Sequence, residues 1–288
     1  MICVSKVFEW RAGKEAFLTV DDMRLETRCF GPAPEHAPTI IMLHEGLGSA
    51  PLWKDFPEKI ADATGFGVFA YSRCGYGASD PVPLPRALDY MTQEAENTLS
   101  KVLDQIGFRR GILLGHSDGA SIAALYAGGV SDHRVRGVIL IAPHFFTEPD
   151  QLEAIAEAKE AYEKTDLRER LARHHHHVDN TFRGWNNAWL DPEFKEWNIS
   201  ETIDYLRIPV LAIQGVNDQY GTIAQIQEIE TRCYSPVEVV MLDDCKHSPH
   251  IEQTDKTLQA IASFVQRLET IEKSGHIAVE FANDDSGL

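Results

Sequence analysis

A serine flanked by glycines is the first feature of this sequence that could do chemistry. The pentapeptide G-H-S-D-G at 115–119 follows the apolar run 112–114 and precedes the small-residue stretch 120–124. G-x-S-x-G between a strand and a helix is typical of a serine on a strained turn, with its hydroxyl projecting above the sheet. The helix N-terminus then directs amide N–H groups at a developing anion. The pattern predicts that Ser117 is a nucleophile.

A base and an acid follow the serine at two later positions. A serine hydroxyl attacks effectively only when a base accepts its proton. His247 comes after the apolar run 237–242, and Asp218 comes after the run 209–213. We predict that His247 is the base and that Asp218 orients it and stabilises its charged form. Neighbouring side chains compete for these two roles, namely Asn217, Asp243, Asp244 and His250.

Short apolar runs alternate with helix-length amphipathic segments along the chain. Runs that are apolar on both faces are typical of a parallel sheet covered by helices on each side. The alternation predicts an α/β fold with a doubly wound, mostly parallel central sheet. It breaks over 143–207, where helical patterns occur without a strand, so we expect a core of 1–142 and 208–288 with an inserted helical cap at 143–207. The predicted strands are 17–20, 24–30, 39–43, 67–71, 111–114, 135–141, 209–213 and 237–242.

Composition narrows the class of protein. The chain has 288 residues, 43% of them hydrophobic, and 27 basic against 44 acidic side chains give a net charge of −17. Such a field repels phosphate backbones and anionic lipid, so we expect neither nucleic-acid binding nor membrane association. No apolar run approaches the length of a membrane span, and the N-terminal residues lack the pattern of a secretory leader.

The cysteines indicate a reducing compartment. Their number is odd, their spacing is wide and no C-x-x-C pair occurs, which favours reduced thiols in the cytoplasm over a disulfide framework or a zinc site. We therefore expect a cytoplasmic protein without a metal or another cofactor. The five cysteines are Cys3, Cys29, Cys74, Cys233 and Cys245.

At these residues the chain resembles the α/β-hydrolase fold superfamily. Beyond the serine turn and the Asp and His loops, the resemblance is carried by L-H-E-G-L-G-S at 43–49 and R-C-G-Y-G-A-S at 73–79, and it covers roughly 38–270. It implies that the loop after the third strand supplies one amide of an oxyanion hole. The implied donors are the backbone N–H groups of Gly46 and Asp118.

Glu45 departs from the family pattern, which usually has glycine at this position. A carboxylate close to a forming oxyanion repels it strongly in a water-poor site. Glu45 must therefore point away from Ser117, be protonated or be paired. Arg73, on the loop after the neighbouring strand, is the partner that we expect.

Aromatic residues near the predicted strand ends and in the cap are candidates for a substrate pocket. The predicted cap carries five aromatics that fit equally well a small core of the cap itself, namely Phe182, Trp185, Trp189, Phe194 and Trp197. We expect the four consecutive histidines at 174–177 to form a polar cap surface rather than a metal site. The pocket candidates are Glu45, Phe145, Phe146, Trp185 and Trp189.

Together these features predict a serine hydrolase that acts on a small-molecule acyl substrate. Among acyl substrates, a small carboxylic ester places the smallest demand on these three residues. Ester hydrolysis through an acyl-enzyme is therefore the reaction that we expect. Hydrolysis of a carbon–carbon bond, a lactone or an amide on the same three residues stays open, as does a ligand receptor without catalysis. The elbow does not resemble the G-G-S-W-G of proline iminopeptidases. The sequence leaves a monomer and a homodimer equally open.

Overall fold

The computed structural model describes residues 8–130 and 132–284, and within them eight strands form one sheet. The strands are β1 (Glu15–Val20), β2 (Met23–Phe30), β3 (Thr39–Leu43), β4 (Gly67–Tyr71), β5 (Gly111–His116), β6 (Val135–Ile141), β7 (Val210–Gly215) and β8 (Val237–Leu242). Their spatial order is β1-β2-β4-β3-β5-β6-β7-β8. β2 is antiparallel to both of its neighbours, and the remaining pairs are parallel. The predicted fold class is confirmed.

Helices cover both faces of the sheet. One face packs against α1 and α10, and the other packs against α3, α4 and α8. A π-helical stretch, Glu94–Leu99, joins α2 to α3. The helices are α1 (Phe56–Thr64), α2 (Tyr90–Gln93), α3 (Ser100–Gln105), α4 (Asp118–Gly129), α5 (Pro149–Lys164), α6 (Leu167–Leu171), α7 (Val178–Trp189), α8 (Ile223–Arg232), α9 (Pro249–Glu252) and α10 (Thr254–Asp284).

Strand β3 shows why the apolar runs form this sheet. All five of its residues are buried. Ile40 and Met42 belong to the apolar cluster under α1 and α10, whereas Ile41 and Leu43 belong to the cluster on the opposite face. Successive side chains of a strand point to opposite faces, so a strand with a helical layer on each side must be apolar at every position.

The segment between β6 and β7 is mainly helical and adds no strand to the sheet within the described residues. Its first helix, α5, begins at Pro149, and the side chains of Glu148 and Gln151 form a reciprocal capping box there. Glu148 also accepts hydrogen bonds from the backbone N–H of Thr222 at 3.0 Å and from Gln225 Nε2 at 2.8 Å. These bonds fix the start of α5 to the loop after β7. The division into a core and a cap at 143–207 stays a prediction.

Parts of the predicted core, residues 1–7, 131 and 285–288, lie outside the described residues, and Cys3 is among them. The other four cysteines are free thiols. None of the helices in the described part of the chain is long and apolar enough to cross a membrane.

Candidate active site

Ser117 occupies the turn between β5 and α4. Its backbone has φ 54° and ψ −120°, in a region that residues other than glycine rarely adopt. The turn is held by a hydrogen bond from Ser117 N–H to the carbonyl of Ile141 at 2.9 Å, and the carbonyl of Ser117 accepts from Ala120 N–H at 2.8 Å. The strained turn that the sequence predicts is therefore present, and it places the serine at the N-terminus of a helix.

The glycines on either side of Ser117 are required by close backbone approach. A Cβ added at Gly115 would lie 2.1 Å from the carbonyl oxygen of Gly119. One added at Gly119 would lie 2.0 Å from the carbonyl oxygen of Leu43. Any side chain at these positions would push α4 away from β3 and β5, which explains why small residues flank the serine.

His247 and Asp218 form a hydrogen-bonded pair. Both carboxylate oxygens of Asp218 lie 2.9 Å from His247 Nδ1. The Asp218 side chain is 1% exposed and that of His247 is 12% exposed. Burial alone would raise the pKa of Asp218, but the charge and hydrogen bond of His247 outweigh it and the pKa is lowered. The carboxylate therefore stays ionised and directs the opposite ring nitrogen, Nε2, away from itself.

Ser117 and His247 meet at a cavity of about 140 Å³. Within the part of the chain that the structure describes, no hydrogen bond joins Ser117 Oγ to His247. Catalytic hydrogen bonds are often long in ligand-free structures and shorten when substrate binds. The lining residues are Glu45, Gly46, Leu47, Ser117, Asp118, His144, Gln151, Ile155, Trp185, Trp189, Tyr220 and His247.

The two backbone amides implied as oxyanion donors, those of Gly46 and Asp118, also belong to the cavity wall. Neither N–H group has an acceptor within the described residues. Asp118 is the first residue of α4, where the N–H has no partner inside the helix. Two free donors beside a serine on a turn can bind a negatively charged oxygen.

The carboxylate of Asp118 is occupied elsewhere. It accepts a hydrogen bond from the hydroxyl of Tyr90, which in turn accepts one from Trp189 Nε1 at 3.1 Å. Burial raises the pKa of Asp118 even though the nearby charge of Arg73 and the Tyr90 bond oppose it. The Asp118 side chain is thus tied to Trp189 on the cavity wall through the hydroxyl of Tyr90.

The expectation that Arg73 is the partner of the Glu45 carboxylate is wrong. The guanidinium of Arg73 donates to the backbone carbonyls of His44 and Glu45 and does not reach the Glu45 carboxylate. Glu45 Oε2 instead lies 3.5 Å from His116 Nδ1. Because the guanidinium of Arg73 is engaged by these two carbonyls, it is not directed at the carboxylate.

The pocket candidates divide into two groups. Trp185, Trp189 and Glu45 line the cavity, but Phe145 and Phe146 do not. β6 ends at Ile141, and the next residue, Ala142, has φ 47°, so that the chain turns sharply. Phe145 is fully buried in the apolar core and Phe146 packs against it. The expectation that one of these phenylalanines faces the substrate is therefore wrong.

The remaining aromatics of the 143–207 segment do not form a core of their own, because they belong to or pack against the apolar cluster that also covers one face of the sheet. Phe194 and Trp197 stack with ring centroids 5.3 Å apart, and both pack against Trp189. Phe182 stacks on Tyr162 at 3.8 Å. Trp185 and Trp189 each line the cavity and contact one of these ring groups.

Sequence reasoning missed two rings that enclose His247. His144 stacks on His247 with ring centroids 5.6 Å apart and an interplanar angle of 20°. Tyr220 packs its ring edge against His247 at 4.8 Å. Burial lowers the pKa of His144 to about 3, so its ring is neutral at pH 7. Tyr220 could have been found from its position two residues after Asp218, but no local pattern marks His144.

The competing residues lie away from the cavity. His250 is buried between Trp53 and Phe56, with ring centroids at 4.8 and 5.6 Å. Burial lowers the pKa of His250 to about 3. Asp243 and Asp244 are exposed at the end of β8. The structure therefore brings His247 and Asp218, and none of these alternatives, to the site of Ser117.

His175 corrects the expectation that residues 174–177 form a polar surface. It is 2% exposed, and its Nδ1 accepts a hydrogen bond from Gly77 N–H at 2.9 Å. Its Nε2 donates to the carbonyl of Leu47 at 3.0 Å, which connects the 143–207 segment to the loop after β3. The other three histidines are exposed. No group of three or more metal-ligating side chains lies together in the described parts of the chain.

Comparison with known proteins places this fold and site in a family. The family model described as alpha/beta hydrolase fold matches residues 38–200, which is more than half of the chain. The chain belongs to the α/β-hydrolase fold family. The match contains the loop after β3, the Ser117 turn and most of the 143–207 segment.

Individual relatives of this α/β-hydrolase family member are distant. A proline iminopeptidase of Lactobacillus delbrueckii subsp. bulgaricus is 28% identical over 126 residues, which is 44% of this chain and 42% of that protein. The chain therefore matches less than half the length of this relative. The enol-lactonase from Burkholderia xenovorans has a TM-score of 0.68 at 20% identity, covering 87% of this chain and 100% of that chain. An esterase from Rhodococcus sp. has a TM-score of 0.67 at 18% identity, covering 88% and 98%. These structures share the fold.

Proposed function

We propose that this chain is a serine hydrolase that cleaves small carboxylic esters through an acyl-enzyme on Ser117. The observation that carries the proposal is the Asp218–His247 pair at the wall of the cavity that contains the strained Ser117 turn. A binding protein has no physical need for a buried carboxylate that fixes one tautomer of an imidazole beside a serine on a strained turn. The esterase and lactonase that share the fold are consistent with this chemistry.

The reaction begins with proton transfer from Ser117 Oγ to His247 Nε2 as Oγ attacks the carbonyl carbon. The carbonyl oxygen becomes an oxyanion, which accepts hydrogen bonds from the N–H groups of Gly46 and Asp118. His247 then donates its proton to the leaving alcohol, and the acyl group remains on Ser117. Water attacks this acyl group as His247 accepts one of its protons, and His247 then returns that proton to Ser117 Oγ as the carboxylic acid is released. Asp218 stabilises the imidazolium in both halves of the cycle.

The cavity favours a short acyl group. Its volume of about 140 Å³ is close to the roughly 150 Å³ of a cavity that holds one benzene molecule. The indoles of Trp185 and Trp189 and the side chain of Ile155 form its apolar part. A decanoyl chain is too long for this space unless the 143–207 segment, our proposed cap, moves.

The test is hydrolysis of p-nitrophenyl esters from acetate to decanoate by the wild type, Ser117→Ala and Ser274→Ala. Ser274 is exposed, so this variant is a matched control that removes a hydroxyl elsewhere. We expect the highest kcat/KM for acetate to butyrate, a loss of at least about 10³-fold in Ser117→Ala, and no loss in Ser274→Ala. Ester hydrolysis that survives in Ser117→Ala contradicts the proposal.

The same panel separates the alternatives. Proline p-nitroanilide and a six-membered lactone test amide and lactone hydrolysis, and a vinylogous β-diketone tests cleavage of a carbon–carbon bond. Turnover of only one of these, dependent on Ser117, changes the substrate class and keeps the mechanism. A wild type that hydrolyses nothing but binds a small ester with measurable affinity favours a receptor. The free thiols of the described cysteines support a cytoplasmic location, which cell fractionation tests.

A further inference from the structure

We infer that the preferred substrate of the Ser117 cavity is an ester that carries a quaternary ammonium group a few atoms from its carbonyl. The inference names the substrate class of the proposed hydrolase and therefore rests on the proposed function. Two residues of the cavity wall, Glu45 and Asp118, have carboxyl groups, and no described lysine or arginine side chain lines the cavity. A cleft lined by one sign of charge concentrates ligands of the opposite sign. The wall therefore favours a cation over a neutral or anionic ligand.

The Glu45 carboxylate has no lysine or arginine partner within the described residues. The guanidinium of Arg73 is engaged by two backbone carbonyls. His116 Nδ1 lies 3.5 Å from Glu45 Oε2 and forms no hydrogen bond in the described part of the chain. Burial opposes ionisation of Glu45, but the neighbouring imidazoles outweigh it, and the pKa of this carboxyl lies below its ordinary value. Glu45 is thus a carboxylate at neutral pH, and its side chain is 30% exposed.

The position of Glu45 makes its charge unfavourable for a neutral substrate. Glu45 directly precedes Gly46, a proposed oxyanion donor, and both residues line the cavity. A carboxylate close to a forming oxyanion repels it. A cation in the same cavity attracts both negative charges, so a cationic substrate removes this repulsion in its own transition state. Asp118 is a poorer partner for the cation, because its carboxylate accepts a hydrogen bond from Tyr90 and burial raises its pKa.

The aromatic part of the wall suits an organic cation rather than a metal ion. Trp185, Trp189 and Tyr220 place three aromatic side chains around a cavity of about 140 Å³. Aromatic faces attract quaternary ammonium groups, and tryptophan does so most strongly. A tetramethylammonium ion is close in size to the benzene that a cavity of roughly 150 Å³ holds, so it contacts several walls at once. Within the described residues no three metal-ligating side chains lie together, so a bare metal ion lacks the ligands that it needs.

The binding test compares tetramethylammonium with tert-butanol, an uncharged ligand of similar shape. Saturation-transfer NMR on the methyl signal of each ligand gives its Kd for the wild type, Glu45→Gln, Glu45→Asp and Glu58→Gln. Glu58 is exposed on α1, so Glu58→Gln removes the same charge away from the cavity. We expect the Kd of tetramethylammonium to rise at least about fivefold in Glu45→Gln and less than about twofold in the other two variants. An unchanged Kd of tetramethylammonium in Glu45→Gln, or an equal rise in the Kd of tert-butanol, overturns the inference.

The kinetic test compares acetylthiocholine with S-(3,3-dimethylbutyl) thioacetate, in which a carbon atom replaces the charged nitrogen. Both esters release a thiol, so one assay measures both. In the wild type we expect kcat/KM to be at least about tenfold higher for the charged ester at low salt, and this ratio to fall as ionic strength rises. Glu45→Gln should lower kcat/KM for the charged ester and raise it for the uncharged one, because the lost carboxylate attracted the cation and repelled the oxyanion. A purely structural role of Glu45 would change both values in the same direction.

The outcomes separate this inference from the proposed function. Equal kcat/KM values for the two esters in the wild type, or a change of the same sign and size for both in Glu45→Gln, overturn the inference and leave the serine mechanism intact. If the wild type hydrolyses neither of these esters nor p-nitrophenyl acetate, the proposed function fails. The Kd values of tetramethylammonium and tert-butanol then still decide whether the cavity selects a cation.

Discussion

Replacing Gly46 by alanine should displace a proposed oxyanion donor, its backbone N–H, without changing Ser117, Asp218 or His247. A Cβ at this position would lie 2.1 Å from Trp185 Nε1 and 2.4 Å from Cδ1. Ordinary contact between heavy atoms needs about 3.5 Å, so the indole or the loop must move by roughly 1.4 Å. Misplacing a catalytic group by about 1 Å, or losing one oxyanion donor, lowers the rate about 10²-fold, which is about 2.7 kcal/mol of transition-state stabilisation.

The assay is kcat/KM for p-nitrophenyl acetate, with Gly129→Ala as the control. A Cβ at Gly129 meets no atom within 4 Å, so this variant should match the wild type. The double variant Gly46→Ala with Trp185→Ala lacks the three atoms that lie nearest to the added Cβ. The loss caused by Gly46→Ala should therefore be at least tenfold smaller in that background than in the wild type. Wild-type activity in Gly46→Ala, or an equal loss in both backgrounds, would refute the reasoning.

Two further predictions concern the base and the link between the 143–207 segment and the core. Asp218→Asn should lower kcat about 10³- to 10⁴-fold because the tautomer and charge of His247 are no longer supported. The control Asp243→Asn, at an exposed position, should leave kcat unchanged. Equal kcat values in the two variants would contradict the role of Asp218. Burial lowers the pKa of His175 to about 4 in the folded chain, against about 6.5 when unfolded. As the pH falls, His175 therefore binds a proton in the unfolded chain before it does so in the folded chain. Its contribution to the free energy of unfolding is complete above about pH 6.5 and is lost toward pH 4, by about 1–3 kcal/mol. Urea unfolding between pH 7 and pH 4 should show a shallower decline in stability in His175→Gln than in the exposed His177→Gln, and identical slopes would count against the buried contact.

The fold could be predicted from the sequence because the central strands are buried on both faces. β3, β4 and β6 begin and end where their apolar runs begin and end. A run of five to seven apolar residues between turn residues leaves little freedom in a sheet with helices on each side. The helix boundaries are less regular, since the run from Tyr90 to Gln105 contains a π-helical stretch that periodicity does not indicate.

The part of the candidate site that depends on the order of the strands along the chain was predictable from the sequence. Ser117, Asp218 and His247 each follow a parallel strand, and the carboxyl ends of parallel strands meet at one edge of the sheet. Contacts that depend on side-chain direction or on distant loops were not predictable. The sharp turn at Ala142 decides which residues after β6 reach the cavity, and His175 is buried by backbone groups about 100 and 130 positions away in the chain.

The surroundings of Glu45 show most clearly which contacts the sequence does not predict. Charge alone favours Arg73, which lies on the neighbouring loop. The guanidinium is instead held by the carbonyls at the end of β3, with Arg73 Nη2 lying 3.2 Å from the oxygen of Glu45. His116 is a variable position of the serine motif, and only the three-dimensional turn directs its ring toward the loop after β3.

Mass spectrometry after treatment with a fluorophosphonate tests the central claim most directly. A serine activated by His247 and an oxyanion hole forms a covalent phosphonyl adduct, whereas an ordinary serine hydroxyl does not react. The account predicts one adduct per chain on the peptide that contains Ser117, and none in Ser117→Ala. An unlabelled wild-type protein, or an adduct on a different residue, would contradict it.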